Sequence, residues 1–322
     1  MSDDFIAVET SDLRLVFWPG CGGRLISAST RGIEFLWRNP EFLSDGGELR
    51  KPRDAWQPLD GTIGSWANVG GSKTWPAPQG WSGLNEWPGP PDGILDSGTW
   101  SCTKQSEHGG HTVVMTSPAD HRTGLTIERR FDIPATGQLF QQTNRFTNCS
   151  SEPVSWSIWE VCQVATADAY GGVLRVGVDD ETPPIKLLTV LGSPDLGSLV
   201  GNERHLPVQT VVGKLGFPTA NRLIGLDRPD GARVEICFEA EPGAPYPDGG
   251  SRAELWMQYP IPAPLPEVGG LHPQAHLVEL EVLGPLVTLL PGQQSEMRLG
   301  WGLRGPSSRS RPGHLSGRNV PG

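Results

Sequence analysis

The sequence predicts an all-β, antiparallel sandwich with few short helices. Three observations predict it. First, 42 glycines and 31 prolines make 73 of the 322 residues. That is about 23%, nearly double the roughly 12% of ordinary chains. Such density excludes long helices and coiled coils, and without a three-residue glycine period it excludes collagen. Second, hydrophobic residues still make 36% of the chain, and 12 of its aromatic residues are tryptophan. Side chains of that size are there to be buried or shown to a ligand. Third, short runs of strand-forming residues recur between turn residues, and no long stretch has a 3.6-residue period.

The elements follow in order. Phe5 to Val8 and Leu13 to Trp18 read as strands, and Pro19-Gly20-Cys21-Gly22-Gly23 as a turn. Arg24 to Ala28 and Ile33 to Trp37 read as two more strands. Residues 38–100 carry little periodicity but six tryptophans (Trp56, Trp66, Trp75, Trp81, Trp87, Trp100), so a folded loop region with short strands is expected there. Runs at 112–115, 125–131 and 139–146 resemble a meander. Val154 to Gln163 has large apolar side chains at both parities, as a central strand does. Further strands are expected at 173–178, 208–213, 222–227, 232–239, 252–258, 276–283 and 295–301, with one or two helical turns within 185–205. The sandwich domain is set at residues 1–304. Residues 305–322 contain Ser, Gly, Pro and Arg with almost no apolar residue, and are expected to be a disordered basic tail.

Net charge is −10, and the arginines of the tail are unaccompanied by acids. The body therefore holds 23 Lys and Arg against 36 Asp and Glu. An acidic body repels phosphate backbones, so no nucleic acid partner is expected. No run approaches the roughly 18 apolar residues of a membrane span, so no membrane partner is expected either. The acidic start, without an apolar stretch, leads to the expectation of no secretory leader. Five widely spaced cysteines without a CxxC pair read as reduced, mostly buried thiols. A cytoplasmic location is the resulting expectation. The seven histidines show no HxH or HExxH spacing, and there is no phosphate loop and no GxSxG elbow, so neither metal nor cofactor is expected. The oligomeric state is left open.

Several segments together resemble the galactose-mutarotase-like (aldose 1-epimerase-like) superfamily. Gly22-Gly23-Arg24-Leu25 with Gly32 to Trp37 is similar to its opening hairpin. Arg129-Arg130-Phe131-Asp132 leading to Asn148 and Glu152-Pro153-Val154 is similar to its central meander. Glu279-Leu280-Glu281 and Leu290-Pro291-Gly292-Gln293 resemble its last strands. A bacterial subfamily of that superfamily, a domain of unknown function, is closer still. Its look is carried by Gly70 to Gln79, Trp87-Pro88 with Pro90-Pro91-Asp92, Gly213 to Gly216 and Tyr246 to Gly250. The resemblance covers roughly residues 5–303 and implies a large antiparallel β-supersandwich. It also implies a small carbohydrate-like ligand and an isomerase of epimerase or mutarotase type. The family's acid is a histidine near the end of the central strand, where this chain reads Trp159-Glu160-Val161-Cys162-Gln163. The family's sugar-facing arginine has no clear counterpart, although Lys73 stands in a comparable region.

Mutarotation needs a base for the anomeric proton and an acid for the ring oxygen. Glu279 and Glu281 are the candidate bases; two apart on a strand, they share a face. Glu160, in an apolar strand, is a candidate acid, since burial raises a carboxyl pKa; a histidine, His272 or His276 before the Glu279 strand, is the alternative. Lys73, in a glycine-rich turn flanked by tryptophan, is a candidate for orienting the ligand. Candidate binding residues are Trp75 (stacking on a pyranose face), Arg24, Gln163, Lys214, Asp248 and His272. Gln163 has opposite parity to Glu160, so a regular strand aims the two at different faces unless a bulge intervenes. Two other functions share this fold expectation: a non-catalytic sugar-binding or regulatory protein, and a biosynthetic lyase, isomerase or cyclase.

Overall fold

The computed structural model describes residues 5–166 and 171–306, as two large antiparallel sheets packed face to face. The tail expected from residue 305 lies, from 307 onward, outside the described residues. Eleven strands make the first sheet. Its main path runs Ile6–Glu9, Arg14–Trp18, Arg24–Thr30, Ser72–Ala77, Val154–Ala165, Leu277–Leu283, Ala253–Gln258, Val212–Phe217 and Ile185–Leu191. Ten strands make the second. The strands Gln294–Arg304, Leu139–Asn148 and Leu125–Pro134 lie side by side within it. The larger of two apolar clusters joins both sheets, from Leu15 and Leu280 to Phe131 and Trp301, and a smaller one gathers Trp18, Ile26 and Phe42.

The strand Val154–Ala165 has the central position its sequence suggests, between Ser72–Ala77 and Leu277–Leu283. Both of its faces are covered, which explains large apolar side chains at both parities. Its register runs without a bulge, so Trp159, Val161 and Gln163 share one face and Glu160 and Cys162 the other. Cross-strand partners carry the same parity outward. Val161 stands opposite Lys73 and Glu281, and Gln163 opposite Glu279. Glu281 stands opposite Glu254, and Glu279 opposite Trp256, which faces Lys214. Lys73, Gln163, Glu279, Glu281, Glu254 and Lys214 therefore project from one face, the outer one.

Residues 38–100 fold over that outer face as loops, two short 3-10 turns and the strand Ser72–Ala77. Trp75, Trp87 and Trp100 are buried, whereas Trp81 is 78% exposed. The helical turns expected within 185–205 are absent: the segment forms strands Ile185–Leu191 and Ser198–Val200 and the start of Glu203–Pro207. Pairing with Val212–Phe217, through two register irregularities, decides its structure over local propensity. The thiols also differ from expectation. Only Cys21 and Cys162 are buried, while Cys149 and Cys237 are exposed.

Candidate functional site

The outer face of the central strands carries two ion-paired groups. The first is built on Glu279, Gln163 and Lys73. Gln163 Nε2 donates to Glu279 Oε1 at 2.6 Å, and Lys73 Nζ lies 3.4 Å from the same oxygen. No described residue donates a hydrogen bond to Glu279 Oε2. The Glu279 side chain keeps 13% of its surface, while Lys73 keeps 1%. Among the described residues Glu279 is thus a carboxylate held by one oxygen only.

Lys73 sits in an aromatic box. Its ammonium lies 4.6 Å from the Trp75 ring centroid and 5.5 Å from that of Trp66. Burial pulls its pKa below the usual lysine value, with Glu279 opposing that shift. Trp75 does not present a stacking face: it is 3% exposed, packed against Trp66, Trp87 and Trp159. The half-buried Trp66 and Trp256 are the tryptophans of this face that reach the surface. The indole of Trp66 donates to Asp96 at 2.9 Å. Asp96 in turn pairs with Arg24, which also donates to the Gly70 carbonyl. Arg24 is fully buried, so it supports the loop under Trp66 and does not reach a ligand. Left-handed Gly70 and Gly71 allow this approach: a Cβ would stand 2.2 Å from the Trp37 carbonyl and 2.6 Å from that of Leu25.

The second group is built on Lys214. Its ammonium lies 2.6 Å from Glu254 Oε2 and 2.9 Å from Glu281 Oε2, and 4.5 Å from the Trp159 ring centroid. Trp159 Nε1 also donates to Glu281 Oε2 at 2.7 Å. Glu254 and Glu281 are fully buried, and burial raises both pKa values despite Lys214. The two carboxylates hold the Lys214 pKa above its usual range. The turn Pro247–Gly250 caps this group. Asp248 is half-buried, and burial raises its pKa too, with Lys214 opposing that shift. Gly216 makes the capping possible, since a Cβ there would stand 2.2 Å from Ser251 Oγ.

Glu160 lies on the opposite face and is not part of this site. It points between the sheets, fully buried, 2.8 Å from Arg129 Nη2. Ser72 Oγ, Thr74 Oγ1, Gln142 Nε2 and Asn144 Nδ2 complete its shell. Every acceptor is used, so the expectation of a catalytic acid there gives way to a structural ion pair. His272 is also apart. It is exposed, hydrogen-bonded to the Ile261 carbonyl, at a cavity of about 350 Å³ that Trp66 and Gln258 also line. Gln258 accepts from Trp256 Nε1 at 3.0 Å and lies on the strand face that pairs with the face of Glu279, although neither Trp256 nor Glu279 lines the cavity itself.

Sequence reasoning missed Glu254. The available signal was Glu254, Trp256 and Gln258 alternating with Leu255 and Met257, the pattern that singled out Glu279 and Glu281. Among the described residues no cluster of three or more His, Cys, Asp or Glu is arranged to hold a metal ion. No helix among them is long and apolar enough to cross a membrane.

Comparison with known proteins gives the family. Residues 6–304 match DUF4380, described as a domain of unknown function. The chain belongs to the DUF4380 family. No curated protein matches this DUF4380 chain. Among solved structures it is similar to Slr1438 from Synechocystis, at a TM-score of 0.59 and 13% identity over 94% of this chain and 96% of that one. A galactose mutarotase-like protein from Lactobacillus casei gives 0.56 and 12% over 94% and 100%. Another from Clostridium acetobutylicum gives 0.57 and 9% over 93% and 95%. The fold is thus that of the galactose mutarotase-like proteins, as the sequence resemblance implied.

Proposed function

We propose that the outer face of the central strands binds a neutral sugar or sugar derivative and catalyses acid–base isomerisation at its anomeric carbon. The observation that carries this reading is Glu279: a carboxylate fixed by Gln163 and Lys73 through Oε1, whose Oε2 accepts no hydrogen bond from a described residue, with Lys73 against Trp66, which lines a cavity. In this role Oε2 takes the proton of the anomeric hydroxyl. The ring C–O bond breaks as the aldehyde forms, and the ring oxygen takes a proton from an acid on the same face. Rotation about the C1–C2 bond and reversal of the steps close the other anomer. Lys73 and Gln163 orient Glu279, and Trp66 and Trp256 offer apolar faces to the sugar ring.

A neutral ligand fits the charges. Both lysines are already engaged by carboxylates, Lys73 by Glu279 and Lys214 by Glu254 and Glu281. A sugar phosphate would have to displace one of these pairs. The test is anomer exchange in a panel of aldoses, followed by polarimetry and by NMR saturation transfer. Glu279→Gln is expected to lower kcat by about 10²–10⁴-fold, the usual worth of a positioned proton acceptor. Unchanged exchange in Glu279→Gln would refute the assignment. The family's histidine has no counterpart on this face, where the central strand reads Trp159-Glu160-Val161-Cys162-Gln163, and that favours a second reading as a sugar-binding protein without turnover. Calorimetric binding with no exchange would select it.

A further inference from the structure

The cavity of about 350 Å³ falls within the size range of small-molecule sites. Residues from 37–68 supply one wall, and residues from 270–275, with Gln258, supply the other. The aromatic part of the lining is anchored by packing. Trp37 is buried, and Phe42 belongs to the smaller apolar cluster. The half-buried Trp56 packs with its ring centroid 4.7 Å from that of Phe42 and 6.0 Å from that of Trp18.

The polar part of the lining is made mostly of side-chain amides. Those of Gln57 and Gln274 make no hydrogen bond to a described residue, and Asn68 Oδ1 is buried without a partner. Glu41 and Lys51, the carboxylate and the ammonium of the lining, lie 3.8 Å apart and offset each other. Amides both donate and accept hydrogen bonds, as sugar hydroxyls do. A pyranose also presents C–H faces, which suit the rings. A hydrocarbon would leave the Asn68 oxygen unpaired, at a cost in free energy. An anion would have to draw Lys51 from Glu41. The lining therefore fits a neutral sugar ring.

This ring is not the one at Glu279. The cross-strand partner of Gln258 is Leu277, whereas that of Glu279 is Trp256. Two residues along a strand span about 7 Å, so Gln258 stands one step beyond the row of Glu279. Trp66 joins the two places. It lines the cavity, and its ring centroid lies 5.5 Å from the Lys73 ammonium, which is 3.4 Å from Glu279.

We propose that the cavity holds the second ring of a reducing oligosaccharide whose first ring is bound at Glu279. The place of the first ring rests on the acid–base reading of Glu279 above. Isomerisation at C1 needs a free anomeric hydroxyl, so the second ring is joined through another carbon of the first. A monosaccharide at Glu279 leaves the cavity unused. Contacts to the second ring are the same before and during the reaction, so they lower KM and leave kcat as it is.

Calorimetry on the full chain tests this. Glucose is compared with maltose, cellobiose and lactose, which all end in glucose. Galactose is compared with galactobiose, and mannose with mannobiose. The best disaccharide is expected to bind at least about 10-fold more tightly than its own reducing monosaccharide, and in anomer exchange the preference should appear in KM. Trp56→Ala should reduce that preference about 3–10-fold, the worth of one aromatic face. Because Trp56 also packs on Trp18 and Phe42, the exposed Gln57 gives a second variant. Gln57→Ala should reduce the preference about 2–10-fold, the worth of one hydrogen bond. Equal affinity for one ring and two, no binding of any of these sugars, or an undiminished preference in both variants overturns the proposal. If disaccharides bind with the expected preference but no anomer is exchanged, the Glu279 reading fails and the cavity keeps its ring. If monosaccharides are exchanged and the preference is absent, the Glu279 reading stands and the second ring is refuted.

Discussion

Glu160→Gln separates structural from catalytic carboxylates in this chain. Oε1 of Glu160 accepts from Ser72 Oγ and from Arg129 Nη2 at 2.8 Å. Oε2 accepts from Thr74 Oγ1 at 2.6 Å, Gln142 Nε2 at 2.9 Å and Asn144 Nδ2 at 3.0 Å. The amide of a glutamine replaces one oxygen by an NH2 group, and neither orientation fits. One turns the NH2 toward Arg129, and the other toward two side-chain amides. Those amides cannot turn round in response. The Trp301 indole donates to Gln142 Oε1 at 2.7 Å, and Gln142 Nε2 donates to Asn144 Oδ1 at 2.8 Å. The substitution thus leaves Arg129 buried without its counter-charge.

Breaking a buried pair in this way costs about 3–5 kcal/mol. Unfolding entropy of about 2.1 cal/mol/K per residue gives ~0.65 kcal/mol/K for a chain of this size, so Tm should fall by roughly 5–8 °C. Differential scanning calorimetry measures this, and urea unfolding at constant m checks that the loss lies in stability. A double-mutant cycle with Arg129→Met should show coupling of about 0.5–3 kcal/mol, since the two side chains touch. The reasoning fails if Glu160→Gln unfolds like the wild type. It fails equally if the folded variant loses sugar binding or exchange while keeping its Tm, because Glu160 would then be a functional group.

Other substitutions separate the remaining groups. Lys73→Met should stay within about 1 kcal/mol of wild-type stability in urea, because the ammonium removed is desolvated and Glu279 keeps solvent and Gln163; a loss as large as that of Glu160→Gln would contradict this. Glu254 has a pKa raised by burial, so the folded chain holds its proton to higher pH than the unfolded chain does. The stability it contributes is complete below the ordinary value of 4.5 and is lost as pH rises toward the folded value, at up to about 1.4 kcal/mol per pH unit. Urea unfolding from pH 4 to 8 should therefore show a shallower fall in Glu254→Gln than in the wild type, and parallel curves would refute it. Trp66→Ala should weaken sugar binding about 3–10-fold by calorimetry, the worth of one aromatic face, and unchanged affinity would remove Trp66 from the site.

What the sequence reveals here is parity, and what it hides is partnership. Alternation alone puts Glu279 and Glu281 on one face, and the odd spacing of Gln163 from Glu160 sends those two to opposite faces, as the bulge-free register bears out. Parity does not say which face meets the second sheet. That depends on Arg129, Gln142 and Asn144, which join Glu160 only when the sheets pack. Trp75 shows the same limit. Its neighbours in sequence suggest a surface ring, but Trp87 and Trp159 come from other segments to bury it. The lysines carry the strongest lesson for function. Counted along the chain, Lys73 and Lys214 look like anchors for an anionic ligand. Each instead lies against carboxylates from strands far away in sequence, and for Lys214 the carboxylates outnumber the cation. An excess of acid around a satisfied lysine retains protons more readily than it attracts phosphate, and this is why the site is read as one that moves protons on a neutral sugar.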